Sequence, residues 1–459
     1  MNQAARIQAL IELADDIAAG GAADAATSAY FRARRYIGSK DRAWIAEQIY
    51  ALLRRRARLD WWIGRVLERP ETAPPPPARH RVIADLLTQG WTERDVARAF
   101  DGDQHHPAPL SRAERLLVDK LAGQTLDHAE QPASVRGEYP AWLEPALMRF
   151  AGGDLAALAK LNEPAPLDLR VNTLTTSREE AQKRLAAAGI AAKPTPWSPL
   201  GLRVEGRPAL GREAAFQAGE IEIQDEGSQL VALLVDARPG QAVLDYCAGA
   251  GGKTLALAAA MRNKGRLVAS DISAARLERA GTRLRRAGIH NVERRPLGPE
   301  HAAWFKRQAG RFDRVLVDAP CSGTGTWRRN PDMKWKLSER DLAELEALQG
   351  EILDQAAKLV KPGGRLIYAT CSLLPAENEV RIESFRATHA DFDLKPVPEL
   401  WSDLLPGPCP VDGPYLRLDP AHHETDGFFA AVLQRQPKEE AAKTETPPAE
   451  EQEPASPSQ

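Results

Sequence analysis

The chain has 459 residues, 43% of them hydrophobic and 27% charged, with a formal net charge of −2. This composition excludes a disordered chain, a collagen-like repeat and a disulfide-stapled miniprotein, and no run approaches the ~18 consecutive apolar residues of a membrane span. The length predicts roughly three or four domains of ~100–200 residues each. The first 26 residues are helical in pattern and carry acids, without the basic start and apolar core of a signal peptide. Four cysteines, Cys247, Cys321, Cys371 and Cys409, lie 74, 50 and 38 residues apart with no CxxC pair. That spacing disfavours a structural zinc site and a disulfide framework, and a reduced, cytoplasmic setting is the expectation.

Residues 1–137 read as helices only: Ile7, Leu10, Ile11 and Ala14 recur at helical spacing, as do Ile45, Ile49, Leu52 and Leu53. Between Tyr30 and Asp60 nine Arg and Lys face three acids, an excess suited to a polyanionic partner through counterion release, with a solvated helix face as the alternative. The run Pro74–Pro77 marks a loop. Residues 138–219 read as a small α/β module, with strands at Leu167–Val171 and Leu202–Glu205 around a helix at Ser177–Ala188. From 220 to 436 short apolar runs (Ala242–Tyr246, Arg266–Ser270, Arg314–Val317, Arg365–Ala369) alternate with helices at Thr254–Met261, Ala274–Ala287 and Leu342–Val360, the last stopped by Pro362-Gly363-Gly364. This alternation predicts an open parallel sheet with helices on both faces, whose ligands bind at the carboxyl ends of the strands. Residues 437–459, rich in Glu, Pro, Ala and Ser, read as a disordered acidic tail.

The first of these strands runs into Cys247-Ala248-Gly249-Ala250-Gly251-Gly252-Lys253-Thr254, a glycine turn that opens a helix and allows close backbone approach to a ligand. A P-loop needs a glycine five residues before Gly252, and that position is Cys247, so the phosphate-binding reading fails there. A nucleoside cofactor of the S-adenosylmethionine type needs an acid ending the next strand to take the ribose hydroxyls; Asp271, 26 residues after Asp245, fits.

Two further strands deliver Asp318-Ala319-Pro320-Cys321-Ser322 and Thr370-Cys371-Ser372 to the same sheet edge. A single strand-end cysteine is usually a small buried hydrophobe; two in matching positions, each followed by Ser, point to chemistry. A thiol beside a methyl donor suits pyrimidine C5 methylation, in which the sulfur adds to C6 and makes C5 nucleophilic. Asp318 is placed as an acid or base for that addition.

These motifs resemble those of the Nop/Sun family of RNA (cytosine-5)-methyltransferases, and most closely its bacterial RsmB type, which modifies 16S ribosomal RNA. The resemblance implies three parts: an all-α NusB-like RNA-binding domain, carried by residues 28–58 with Gly38-Ser39-Lys40-Asp41-Arg42; a small module carrying Leu169-Arg170-Val171-Asn172-Thr173; and a Rossmann-like class I methyltransferase domain. The sheet of that domain is mostly parallel with an antiparallel terminal strand, resembled here by Asp426-Gly427-Phe428-Phe429. It further implies Cys371 as nucleophile, Cys321 as the cysteine of product release, and cofactor contacts at Cys247–Lys253, Asp271 and Asp318. The family's Asp after the third strand is missing from residues 291–300, where either Glu300 replaces it or the adenine relies on backbone contacts.

Arg328, Arg329, Lys334 and Lys336, interleaved with Trp327 and Trp335, read as an RNA-contacting loop beside the site, and Arg54, Arg55 and Arg56 as contacts that position the RNA. The pairs His105-His106 and His422-His423 do not read as metal ligands, and no metal is expected. Glu377-Asn378-Glu379 either lines the site or caps the following helix. The rival readings are a DNA methyltransferase using Cys321 as nucleophile, a non-catalytic RNA-binding factor and an NTPase.

Overall fold

In a computed structural model, residues 1–70 and 72–437 are described; the acidic stretch beyond them lies outside. Helices Gln3–Ala18, Ala23–Ala33, Ser39–Arg54, Arg56–Val66, Ala78–Thr88, Glu93–Ala99 and Arg112–Leu121 enclose one apolar core. Ile7, Leu10, Ile11, Ala14, Ile45, Ile49 and Leu52 of the helical pattern are all buried in it. Capping boxes at Thr92/Asp95 and Ser111/Glu114 fix two helix starts by satisfying otherwise unpaired N–H groups. Pro74–Pro77 lies outside any helix or strand.

The next helical segment, from Ala133–Gly137 to Lys160–Asn162, does not pack on the small sheet. It places Leu143, Leu147, Leu158 and Leu161 against Trp327, Leu373 and Leu374, beside the strand-end loops of the large domain.

The small sheet comprises β1 (Leu167–Val171), β2 (Ala192–Pro194), β3 (Gly201–Val204) and β4 (Ile221–Ile223), antiparallel in the order β2-β3-β1-β4. Helix Arg178–Ala187 covers one face through Ala181 and Leu185. Because Ile221-Glu222-Ile223 pairs with β1, the division at 219/220 falls one strand too early.

The large sheet is built from β5 (Ala242–Asp245), β6 (Arg266–Asp271), β7 (Val292–Pro296), β8 (Phe312–Asp318), β9 (Val360–Thr370), β10 (Phe392–Lys395), β11 (Leu416–Leu418) and β12 (Phe428–Arg435). The order is β10-β12-β9-β8-β5-β6-β7, with β11 also pairing β12. Strands β5 to β9 are mutually parallel, and β12 runs antiparallel beside β9, a Rossmann-like arrangement whose parallel strands are covered on both faces. Pro362-Gly363-Gly364 does not stop the preceding helix, which already ends at Ala357; it lies within β9, where the pairing with β8 is irregular between Phe312 and Arg314. Among the described residues no helix is long and apolar enough to cross a membrane.

Candidate active site

The parallel register brings the ends of β5, β6, β8 and β9 to one edge: Asp245 pairs with Ala269 and Leu316, and Asp318 with Ala369. The turn after β5 is built on glycine for steric reasons. Gly251 has φ +82°, and a Cβ there would meet the Ala280 Cβ at 2.9 Å. Gly249 (φ +54°) faces open space instead, and its N–H donates to Asp271 Oδ2 at 2.8 Å. Asp271 Oδ1 accepts from Ser273 N at 2.8 Å, so the carboxylate is held between its own loop and the glycine turn. The carbonyls of Ala250 and Gly252 are taken by Arg283 (2.7 Å) and Arg170 (2.9 Å).

Behind the turn, Asp245 is fully buried; Thr254 donates to its Oδ2 at 2.7 Å and its Oδ1 has no partner. Burial and the neighbouring Asp318 and Asp271 push its carboxyl up to about 7, against the Thr254 hydrogen bond. Burial also pushes the Cys247 thiol up, helped by Asp318, Asp245 and Asp271, which disfavours its thiolate.

Lys253 decides what the turn is for. Its buried ammonium donates to Asp318 Oδ2 at 2.7 Å and lies 5.3 Å from the Phe428 ring centre. Burial alone would lower its pKa; Asp318, with Cys371 and Asp245, outweighs burial and holds it above the ordinary value. A P-loop lysine is free to reach phosphates; this one is committed to the strand-end carboxylate.

Cys321 and Cys371 meet at the loops after β8 and β9, their sulfurs 3.5 Å apart. Gly325 N donates to the Cys371 carbonyl at 2.9 Å and Gly427 N to the Gly325 carbonyl at 2.8 Å, which ties both loops to the start of β12. A side chain at Gly325 would put its Cβ 2.3 Å from the Gly427 oxygen. Glu377, fully buried, accepts from the backbone N–H of Ser322 (2.8 Å), the hydroxyl of Ser322 (2.5 Å), the hydroxyl of Ser372 and the amide of Gln349. It thus lines the site, while Asn378 holds the Ser372 carbonyl at 2.9 Å.

Two family models match the chain: 16S rRNA methyltransferase RsmB/F over residues 232–434, and the RsmF/B-like ferredoxin-like domain over 139–210. The ribosomal RNA small subunit methyltransferase B of Erwinia tasmaniensis is 33% identical over 417 residues, covering 88% of this chain and 93% of that one. The chain belongs to the RsmB/F methyltransferase family. Among solved structures, PH0851 is similar over 95% of this chain and 99% of its own, with TM-score 0.77 and 28% identity. A methyltransferase homologue from Pyrococcus horikoshii covers 66% of this chain and 97% of its own, at TM-score 0.56 and 31% identity.

Within this RsmB/F chain the basic segment after Cys321 does not form an open RNA loop. Trp327, Arg328 and Lys334 are buried. Arg328 pairs with Asp426 at 3.3 Å; Arg329 pairs with Asp426 at 2.5 Å and Asp225 at 2.8 Å, and donates to the Pro166 carbonyl at 3.1 Å. Lys334 contacts Asn162 and faces Glu138. Lys336, the exposed member, donates to the Gly21 carbonyl and to Asp332, each at 2.7 Å. Arg54 donates to the Arg328 carbonyl at 2.9 Å, Arg55 pairs with Asp85 at 2.8 Å, and Arg56 lies over Trp335 and beside Asp60. Arg328, Arg329 and Lys334 are therefore struts between and within domains, and their assignment as RNA contacts is corrected on that ground; Arg54–Arg56 are half-buried and hold partners within the chain. A cation sealed against a buried carboxylate is not available to a phosphate.

One group of cationic side chains open to solvent lies earlier. Arg32, Arg35 and Lys40 are exposed around Tyr36, which is 79% exposed, and have no carboxylate partner within ion-pair distance among the described residues. Glu300 stands exposed in the short turn Pro299–His301 beyond β7, while Ile272, next to Asp271, is 80% exposed. His106 bonds to Asn2 and Asp101, and His422 to Asp419. No group of three or more His, Cys, Asp or Glu that suits a metal occurs among the described residues. Arg170 and Glu138 are not legible in the sequence as frame residues, and Glu377 is legible only as one of two alternatives, because their partners lie on other elements.

Proposed function

We propose that this chain transfers a methyl group from S-adenosylmethionine to C5 of a cytosine in RNA, with small-subunit ribosomal RNA as substrate. The observation that carries this reading is the pair of cysteine sulfurs 3.5 Å apart, facing the Lys253–Asp318 pair at the mouth of the glycine turn. The name of the Erwinia relative supports the RNA class.

The site fits the cofactor. Asp271 is held where ribose hydroxyls need a carboxylate, Ile272 offers an uncovered apolar side chain for a base, and Gly249 leaves open space above the turn. Within residues 247–253, Gly252 and Lys253 supply backbone N–H groups for a carboxylate at the start of helix Gly252–Ala260, those of Ala248, Gly249 and Gly251 being taken within the fold. S-adenosylmethionine, when bound, supplies an electrophilic methyl group.

The chain's own residues prepare the acceptor. The Cys371 sulfur adds to C6; the ring electrons shift, and C5 becomes nucleophilic as in an enamine. Lys253 places a positive charge opposite the sulfur, and Asp318 orients both Lys253 and the incoming ring edge. After C5 has been methylated, a base takes its proton, and the C5–H electron pair forms the C5=C6 double bond as the C6–S bond breaks, the electrons of that bond leaving with the Cys371 sulfur. Cys321, in hydrogen-bond contact with that sulfur, assists its departure. A base inside an RNA helix has to be extruded to reach this edge. The helical domain, NusB-like in this reading, holds the RNA through Arg32, Arg35, Tyr36 and Lys40.

The test is transfer of labelled methyl groups to ribosomal RNA from a strain lacking the gene, followed by digestion to nucleosides. Label in 5-methylcytosine that vanishes with Cys371→Ala, together with a covalent protein–RNA adduct accumulating with Cys321→Ala, is the expected result. Label unchanged in Cys371→Ala overturns the nucleophile and favours the DNA-type use of Cys321. Label in DNA or transfer RNA alone overturns the substrate.

A further inference from the structure

Glu377 lies six residues beyond Cys371, in the helical turn Pro375–Glu377. Its carboxylate accepts from the residue after each cysteine: Ser322 through N–H and hydroxyl, and Ser372 through its hydroxyl. Gln349, on the long helix Glu339–Ala357, donates at 2.9 Å, and the Tyr368 hydroxyl donates to the Glu377 carbonyl at 2.7 Å. The two serine hydroxyls also approach each other at 3.1 Å. One buried carboxylate therefore clamps both cysteine loops, and a buried charge is tolerated where donors surround it in this way.

We propose that Glu377 is a positioning residue that sets the separation of the two sulfurs and makes their roles unequal, Cys321 serving as a hydrogen-bond donor and Cys371 as the nucleophile. In naming the nucleophile this rests on the function proposed above.

The surroundings of the two sulfurs differ in sign. Cys321 faces Cys371, Glu377 and Tyr368. Its thiol is pushed well up by the hydrogen bond to Cys371, then by burial and by the electrostatic interaction with Cys371, with the charge of Glu377 adding to these. Tyr368 is itself pushed up by burial, by Cys321 and by Glu377, with Arg381 acting the other way. Cys371 faces the Lys253 ammonium, which Asp318 anchors from the far side. A thiol beside an anion keeps its proton. Sequence symmetry between Pro320-Cys321-Ser322 and Thr370-Cys371-Ser372 is thus broken by one residue that comes after only the second of them.

The experiment is residue-resolved alkylation of full-length protein with iodoacetamide across pH 6–10, read by mass spectrometry, on wild type and Glu377→Gln. In wild type, Cys371 is expected to react at lower pH than Cys321. Glu377→Gln should move the Cys321 profile down by about one pH unit or more and lower kcat at least tenfold, with KM for S-adenosylmethionine within twofold. An unmoved Cys321 profile, or a kcat within twofold of wild type, overturns the proposal. The double variant Ser322→Ala/Ser372→Ala removes the hydroxyl bonds to both loops but keeps the charge and the bond from the backbone N–H of residue 322, and covers the case in which Glu377→Gln does not fold. It should lower kcat about tenfold and leave the Cys321 profile in place; an unchanged kcat again overturns the clamp. Alkylation needs no RNA, so wild-type protein that fails to methylate RNA defeats the proposed function while the cysteine profiles still decide the role of Glu377.

Discussion

Arg170, on β1 of the small sheet, donates from Nη1 to the Gly252 carbonyl at 2.9 Å and to Gln224 Oε1 at 2.7 Å, joining the small module directly to the glycine turn of the large domain. The side chain is fully buried, and burial lowers its pKa to about 10, so it remains a cation at neutral pH. With Arg283 on the Ala250 carbonyl, it holds two carbonyls of the turn outward. The small module is therefore part of the frame of the cofactor site.

Arg170→Met should accordingly weaken S-adenosylmethionine binding about tenfold, equivalent to ~1.4 kcal/mol, because the turn loses the donor that fixes Gly252. Calorimetric titration of the purified variant checks this. A dissociation constant within twofold of wild type would show that the turn holds its shape without the module.

The junction of the helical and catalytic domains predicts an asymmetric result. Glu138 is buried and accepts from Ala57 N (2.8 Å), Arg58 N (3.2 Å) and Arg58 Nε (2.9 Å), whereas burial pushes Lys334 down to about 7 despite the charge of Glu138. Lys334→Met leaves Glu138 satisfied and should change stability by less than ~1 kcal/mol. Glu138→Ala leaves Lys334 without its counter-charge and Arg58 with the exposed Asp127 alone, and should cost about 3–5 kcal/mol. Urea denaturation of both variants tests the order; equal losses would contradict it.

Asp245 carries a pH dependence whose sign is set by its raised pKa. The folded protein keeps a proton that the unfolded chain releases, so this group's contribution is full below its ordinary value of 3.8 and is lost as pH rises through about 7. Asp245→Asn retains an acceptor for Thr254 and removes the penalty of a buried charge. The variant should be more stable at pH 8, on the order of 4 kcal/mol at most by the size of the shift, with the gain shrinking towards pH 4. Denaturation midpoints at pH 5 and pH 8 decide it, and a gain that does not depend on pH would refute the assignment.

Arg32, Arg35 and Tyr36 provide the open cationic and aromatic surface of the helical domain. Arg32→Ala/Arg35→Ala should weaken RNA binding and lower the slope of log affinity against log salt by roughly 1.4–1.8, as expected for two lost phosphate contacts. Tyr36→Ala should remove about 1–3 kcal/mol if a base stacks on the ring, with little change in salt slope. Filter binding across a salt series separates these effects. Affinity unaltered by all three substitutions would place the RNA elsewhere.

Much of the large domain could be read without coordinates because its signals are local. The apolar runs at 242–246, 266–270, 314–317 and 365–369 mark the central strands, and a parallel sheet necessarily gathers the loops at their carboxyl ends on one edge. That rule alone brings Cys247–Lys253, Asp271, Asp318, Cys321 and Cys371 together. The glycine at 251 is likewise dictated by a left-handed turn packed on Ala280.

The fate of the charges, by contrast, depends on long-range packing. Arg329 looks free in sequence, but its carboxylate partners are Asp225 and Asp426, and the partner charge of Lys334 is Glu138; all three are about a hundred residues or more away. A run of cations reads as a nucleic-acid surface until long-range packing supplies the counter-charges and removes the water. The short strand Ile221–Ile223 escaped for a related reason: three residues carry too little periodicity, and their place is set by pairing with β1. Glu377 shows the same limit most clearly. Sequence places it near Cys371, but only the folded loops bring Ser322 within reach of its carboxylate, and that contact makes two similar motifs unequal.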